Sequence, residues 1–307
     1  MDSIVKLDHL YHRYSVQWAV KDIDFEITKH GVYGLLGSNG AGKSTTMNIM
    51  CGVLRQTQGK VFIKGIDMSE NPVEAKRHIG FLPQTPPLHP DLTVEEYLRY
   101  TAELRYIPAK EIKRAVAAVM DRCRIAHFAK RVLRNLSGGY QQRVGIAQAI
   151  IHNPEFVVLD EPTNGLDPNQ IVEIRHLVKE IAEERTVILS THILPEVQAT
   201  CDYIRMIEHG TVVFEGTVND FDTYIQPVSM LVRLDARPSV EQVSALDGVK
   251  NVELLDNGRY RIFYSDVTKA AEKLVEASHV NEWKLMEMQQ EKSSLDDIFA
   301  ELSKNKK

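Results

Sequence analysis

Residues Gly37-Ser38-Asn39-Gly40-Ala41-Gly42-Lys43-Ser44-Thr45 match G-x-x-x-x-G-K-[ST] at every fixed position. The segment lies between an apolar run, Val32 to Leu36, and an amphipathic stretch, so it reads as strand, tight loop and helix. Glycines let successive backbone N–H groups turn inward as an anion nest, and the helix opening near Gly42 adds the positive end of its dipole. In such a loop the Lys43 ammonium reaches the β- and γ-phosphates while the Ser44 hydroxyl ligates Mg²⁺. The chain is therefore expected to bind a nucleoside triphosphate through Gly37, Ser38, Asn39, Gly40, Ala41, Gly42, Lys43, Ser44 and Thr45.

At 307 residues and 43% hydrophobic, the chain can bury a large core, and its length suits two domains or one with an appendage. Disorder is excluded. A net charge of −5 and a pI near 6.1 give no electrostatic footprint for DNA or RNA, and no nucleic acid partner is expected. Cys51, Cys123 and Cys201 are odd in number and lack metal spacing, which suits small core residues in a reducing cytoplasm. Met1 to Leu10 carries charges and no apolar secretory segment, and no window approaches the ~20 apolar residues of a membrane span. Any membrane crossing is thus expected of a partner.

Alternation from Val20 to Ile27 predicts a strand before the phosphate loop, and Lys60 to Ile63 another after its helix. From Thr93 to Phe128 the spacing of Val94, Tyr97, Leu98, Leu104, Ile112, Val116, Val119 and Met120 is helical, predicting an inserted helical segment over about 92–150. Phe156 to Leu159 and Thr186 to Leu189, separated by a helical pattern, read as buried parallel strands, and Tyr203 to Ile207 with Val212 to Phe214 as a closing hairpin. These readings place a nucleotide-binding α/β domain at 1–219. Beyond it, over 220–307, the order is βαββαβ plus a terminal helix, Ser294 to Leu302, which predicts a small ferredoxin-like α+β domain.

Two further segments carry chemistry. The apolar strand ending Leu159-Asp160-Glu161 presents two carboxylates: Asp160 suits the Mg²⁺ shell, and Glu161 suits a general base that polarises the attacking water. Leu136-Ser137-Gly138-Gly139-Tyr140-Gln141-Gln142-Arg143 opens a helix with Ser137 at the N-cap and two glycines exposing N–H groups, a second anion site.

Together with the phosphate loop and Asp160-Glu161, this text resembles the signature motif of ATP-binding cassette (ABC) ATPases. The other family marks follow in order over roughly Ile4 to Glu215. Gln84 is similar to the Q-loop glutamine, which also ligates the metal. Asn164-Gly165-Leu166-Asp167 resembles the D-loop, and His192 the switch histidine that contacts the γ-phosphate and lytic water. Tyr14 stands where the family usually stacks an aromatic on adenine. Tyr140 departs from the usual glutamine of LSGGQ; serine and glycine amides carry the phosphate contact, so activity is expected to survive. Ser190-Thr191-His192-Ile193-Leu194-Pro195-Glu196-Val197 and the tail Ser294-Leu295-Asp296-Asp297-Ile298-Phe299 resemble ABC-2 type exporter ATPases, with the gliding-motility-associated ATP-binding subunit of bacteria as the most similar subgroup.

The resemblance implies an α/β P-loop core with an antiparallel β subdomain and a helical subdomain. It also implies a head-to-tail dimer, either of this chain or with a related ATP-binding subunit, in which ATP with Mg²⁺ is sandwiched between one phosphate loop and the Ser137, Gly138 and Gly139 of the other copy. Closure on ATP, and opening after hydrolysis led by Glu161, would drive a separate integral membrane permease through the groove between Gln84 and the helical segment, from the inner face of the cell membrane, most commonly for export. Two other readings stay open: a soluble ABC switch without a transporter, and an ATP-binding scaffold without turnover.

Overall fold

The computed structural model describes residues 3–224 and 229–291. They form two compact units, the first running to Asp220 and the second starting at Phe221. The expected terminal helix Ser294 to Leu302, and the exporter-like tail text within it, lie outside the described residues.

The first unit opens with β1 (Val5–Tyr14), β2 (Gln17–Ile27), β3 (Gly31–Leu36) and α1 (Lys43–Met50), followed by β4 (Gln58–Ile63), β5 (Ile66–Asp67), α2 (Pro72–Arg77) and β6 (Ile79–Leu82). Three helices come next, α3 (Val94–Leu104), α4 (Ala109–Arg122) and α5 (Gly138–Ile150). Then β7 (Phe156–Asp160), α6 (Pro168–Ala182), β8 (Thr186–Ser190), α7 (Leu194–Thr200), β9 (Tyr203–Glu208) and β10 (Thr211–Thr217) complete the run, and the boundary between the units falls within α8 (Val218–Tyr224).

Two sheets share one core. The antiparallel sheet has order β2-β1-β4-β5, and the larger sheet has order β10-β9-β3-β8-β7-β6, with β10 antiparallel to β9 and the other neighbours parallel. Parallel strands covered on both faces need continuous apolar runs, which is how Phe156 to Leu159 and Val187 to Leu189 read, all of them buried. Helix α1 joins the sheets: Met47, Ile49 and Met50 lie in one apolar cluster with Leu7 and Ile23 on one side and Leu35, Val158 and Ile188 on the other. The helix that opens at Lys43 is thus gripped between two sheets, and that fixes the phosphate loop ahead of it.

Strand β1 has no counterpart among the sequence expectations. His9 takes a left-handed backbone (φ 46°) and the pairing shifts between Leu7 and Leu10, so the buried Leu7 and Leu10 stand three apart and the period of two is lost. In α3 the buried face is Val94, Tyr97, Leu98, Thr101 and Ala102, with Thr93 and Glu96 closing a reciprocal capping box. Leu104, read from the sequence as part of that face, is 59% exposed at the last position of the helix.

The second unit contains β11 (Ser229–Leu234), α9 (Val240–Ser244), β12 (Val249–Leu254), β13 (Tyr260–Tyr264), α10 (Val267–Val280) and β14 (Leu285–Gln290). Its sheet order β12-β13-β11-β14 is the ferredoxin-like arrangement expected from βαββαβ. The last strand starts at Leu285, and the Trp283 ring just ahead of it packs into the core with Met230, Ile262 and Leu274.

His152, just past α5, donates its Nε2–H to the Ile79 carbonyl at 3.0 Å, and its Nδ1 is buried without a hydrogen bond. Burial, reinforced by the nearby Arg105 guanidinium, pulls its pKa from 6.5 down to about 4. The unfolded chain therefore binds this proton more readily than the fold does. Its contribution to stability is complete above pH 6.5 and is lost as pH falls towards 4, on the order of 3 kcal/mol in total. His152→Gln is expected to flatten the slope of unfolding free energy against pH in that window, measured by urea titration; an unchanged slope would contradict the assignment.

Candidate functional site

The phosphate loop leaves the carboxyl end of β3 between β9 and β8. Two glycines are sterically required. A Cβ on Gly37 would meet the Ile207 carbonyl oxygen at 2.3 Å, and one on Gly42, whose φ is 107°, would meet the Ala19 carbonyl oxygen at 2.5 Å. The loop is tied down from outside as well: Gly210 N–H donates to the Ala41 carbonyl at 3.0 Å, and Ser38 Oγ donates to Glu208 Oε1 at 2.9 Å. Lys43 is buried, and its ammonium donates to the Gly37 and Ser38 carbonyls at 2.8 and 3.0 Å. Burial lowers its pKa, against the opposing pull of Glu161, Asp160 and Glu208.

Asp160 ends β7 and is 6% exposed. Burial raises its pKa, while hydrogen bonds from Ser190 and Ser44 pull the other way. Ser190 Oγ donates to Asp160 Oδ1 at 2.6 Å and accepts the Glu161 N–H at 3.0 Å. A carboxylate kept from water beside two hydroxyls is a hard oxygen site, and the donor set of Ser44, Asp160 and the Gln84 amide oxygen fits Mg²⁺ chemically.

Glu161 follows in a left-handed backbone conformation, φ 48°, a conformation costing about 1 kcal/mol or more for a residue with a Cβ. This turn carries the carboxylate out of the strand into the space where three loops meet. Gln84 Nε2 donates to Glu161 Oε2 at 2.9 Å, Asn164 Nδ2 to the same oxygen at 3.1 Å, and His192 Nδ1 to Oε1 at 3.2 Å. Because a carboxylate accepts, His192 carries its proton on Nδ1 and turns Nε2 away from Glu161. The structure thus brings Gln84, Glu161 and His192 together, with Asp160, Ser44 and Lys43 alongside.

Tyr14 sits at the end of β1, 52% exposed, with the His12 ring edge-on at 4.8 Å, an open aromatic face suited to a flat ring. Ser137 occupies the N-cap of α5, but its hydroxyl makes no cap hydrogen bond, so the first N–H groups of the helix keep their capacity for another acceptor. Tyr140 is accommodated by packing edge-on to Phe128 at 4.5 Å. The neighbours of Gly138 and Gly139 are Leu166 and Gln170. Helix α5 packs on β6, three strands from β3, a lateral distance of roughly 14 Å. Ser137, Gly138 and Gly139 are therefore not brought to the Lys43 loop of their own chain.

Sequence reasoning passed over Ser190, Glu208 and the role of Asn164. Ser190 and Glu208 work through contacts 30 and 170 residues away in the chain, a separation that no local pattern reveals.

A family model described as ABC transporter matches residues 20–164. The bacitracin transport ATP-binding protein BcrA of Bacillus licheniformis is 36% identical over 217 residues, covering 70% of each chain. The linearmycin resistance ATP-binding protein LnrL of Bacillus subtilis is 29% identical, covering 98% of each. The dimeric structure of MJ0796, a bacterial ABC transporter cassette, aligns at TM-score 0.64 and 28% identity over 70% of this chain and 98% of that one.

Lys43→Ala is expected to raise the dissociation constant for ATP at least about tenfold, the loss of one charge-assisted contact, without unfolding the chain. Isothermal titration measures it, and an unchanged affinity would remove Lys43 from the phosphate site.

Proposed function

The chain belongs to the ABC transporter ATP-binding family, and from that premise we propose that it is the ATPase of an exporter whose membrane-spanning part is a separate permease. The carrying observation is the Glu161 carboxylate, held at once by Gln84, Asn164 and His192. In this reading Glu161 polarises the lytic water and His192 lines the γ-phosphate side. Lys43 and the loop amides of Gly37 to Thr45 hold the phosphates, and Tyr14 receives the adenine. Bound Mg²⁺, held by Ser44, Asp160 and Gln84, would supply charge neutralisation at the β- and γ-phosphate oxygens.

A second copy, or a related subunit, completes the site head to tail by presenting its own Ser137, Gly138 and Gly139 amides to the γ-phosphate. The distance between the two half-sites within one chain supports this. Glu161 Oε2 is shared by two amides while, among the described residues, Oε1 takes only the His192 bond, which leaves Oε1 an acceptor site for the lytic water. Gln84, bonded to the same carboxylate, couples the state of this site to its own loop, which leads into α3.

In this reading the permease seat is the groove between Gln84 and the helical segment of α3, α4 and α5. Leu104 and Tyr106 are exposed, and among the described residues no helix is long and apolar enough to cross a membrane. In this reading the chain sits at the inner face of the membrane through its partner. Export is supported by relatives named for bacitracin transport, linearmycin resistance and Nod factor export.

Tagged Glu161→Gln protein, expressed in its native cell and extracted in mild detergent with ATP, tests the proposal. Phosphate release is expected to fall about a hundredfold or more with ATP still bound, and a polytopic membrane protein should co-purify. Full turnover would remove Glu161 from its role, and recovery of soluble partners alone would replace the transporter with a soluble switch.

A further inference from the structure

Glu196 is a buried carboxylate that none of the nucleotide-site motifs includes. It stands in the first turn of α7, 5% exposed. Its Oε2 accepts two hydroxyl hydrogen bonds, from Thr163 Oγ1 and Thr191 Oγ1, each at 2.9 Å, and its Oε1 faces Arg175 of α6 at 3.8 Å. Thr163 follows Glu161 by two residues, and Thr191 immediately precedes His192. With the 3.2 Å contact between His192 and Glu161, these bonds close a ring: Glu161, Thr163, Glu196, Thr191, His192 and back to Glu161.

The ring is anchored on its far side. Thr191 Oγ1 also accepts the Ile193 N–H at 3.1 Å, and Glu196 N–H donates to the Ile193 carbonyl at 3.0 Å, so the hydroxyl and the carboxylate it binds are both fixed by the start of α7. Burying a carboxylate is costly unless its lone pairs are used and a cation stands nearby. Here two hydroxyls and the Arg175 guanidinium meet that requirement, and both hydroxyls point to loops that end in site residues.

We infer that Glu196 is a positioning residue for hydrolysis: one rigid carboxylate ties the loop of Glu161 to the loop of His192 and so sets the separation of those two groups. This rests on the reading of Glu161 as the base. The side chain of Glu196 bonds the loops of Glu161 and His192 and not the phosphate loop, so it acts on the chemical step and leaves ground-state binding to Lys43 and its loop. Removing its side chain leaves both threonine hydroxyls without their buried acceptor, and the two loops lose their common reference. A glutamine at this position still offers one oxygen with two lone pairs, enough for both hydroxyls.

The test uses the full chain with Glu196→Ala, Glu196→Gln, Thr191→Val and the double variant Glu196→Ala/Thr191→Val, read by phosphate release, ATP affinity and Tm. Glu196→Ala is expected to lower kcat about ten- to a hundredfold, the scale of a misplacement near 1 Å, with ATP affinity within about twofold. Glu196→Gln should recover most of that loss, and the double variant should be no slower than Glu196→Ala, because both changes cut the same ring. Wild-type kcat in Glu196→Ala would overturn the inference. So would Glu196→Gln as slow as Glu196→Ala, or parallel losses of Tm and ATP affinity, which mark a structural role alone. Should Glu196→Ala not fold, Thr191→Val carries the same kcat expectation, and full turnover in it is the overturning result. A parallel Glu161→Gln measurement separates failure of the base assignment from failure of the ring.

Discussion

A single carboxylate oxygen, Glu161 Oε2, takes hydrogen bonds from Gln84 and Asn164 while its partner oxygen takes one from His192. These donors arrive on three loops: the one leaving β6, the one following β7 and the one leaving β8. The parallel sheet makes this meeting possible, because strands that run the same way deliver their connections to one edge. Neighbouring β7 and β8 are in register from Phe156 opposite Thr186 to Asp160 opposite Ser190. That register puts the Ser190 hydroxyl where it bridges the Asp160 carboxylate and the Glu161 amide. A shift of one residue would turn each of these side chains to the other face of the sheet.

The same arrangement keeps the two proposed phosphate half-sites of one chain apart. The Lys43 loop belongs to the middle of the sheet and the amino end of α5 to its outer strand. Helix α1 is gripped between two sheets and α5 is almost wholly buried along its length, so neither half-site can travel to the other without dismantling the core. In the proposed reading, assembly of a second copy is the route that leaves both cores intact.

Much of the site was legible because phosphate chemistry demands fixed residue types at fixed spacing. Gly37 to Thr45, Asp160-Glu161 and Ser137 to Gly139 each satisfy such a demand within a few residues. In the second unit the element order βαββαβ was legible from alternation and helical spacing, and the sheet order follows the ferredoxin-like pattern expected from it. Legibility failed where a local deviation hid a period, as the left-handed His9 does in β1, or where an apolar residue falls at the end of its helix, as Leu104 does. It failed again at Ser190, Glu196 and Glu208. Polar residues of these types usually face solvent, and what distinguishes these three is burial against partners brought near by the fold.

Site-directed cross-linking tests most directly whether the two half-sites meet across copies. The native Cys51, Cys123 and Cys201 are buried, and burial raises their thiol pKa values, so they stay inert. Asn39 and Ser137 are exposed, and the elements that carry them are three strand spacings apart across the sheet, roughly 14 Å, whereas a disulfide within one chain needs Cα atoms within about 7 Å. A chain carrying Asn39→Cys and Ser137→Cys in the Glu161→Gln background should form a covalent dimer under mild oxidation when ATP and Mg²⁺ are present, and little without them. A dimer that forms equally without nucleotide, or none in its presence, would contradict a site built from two copies.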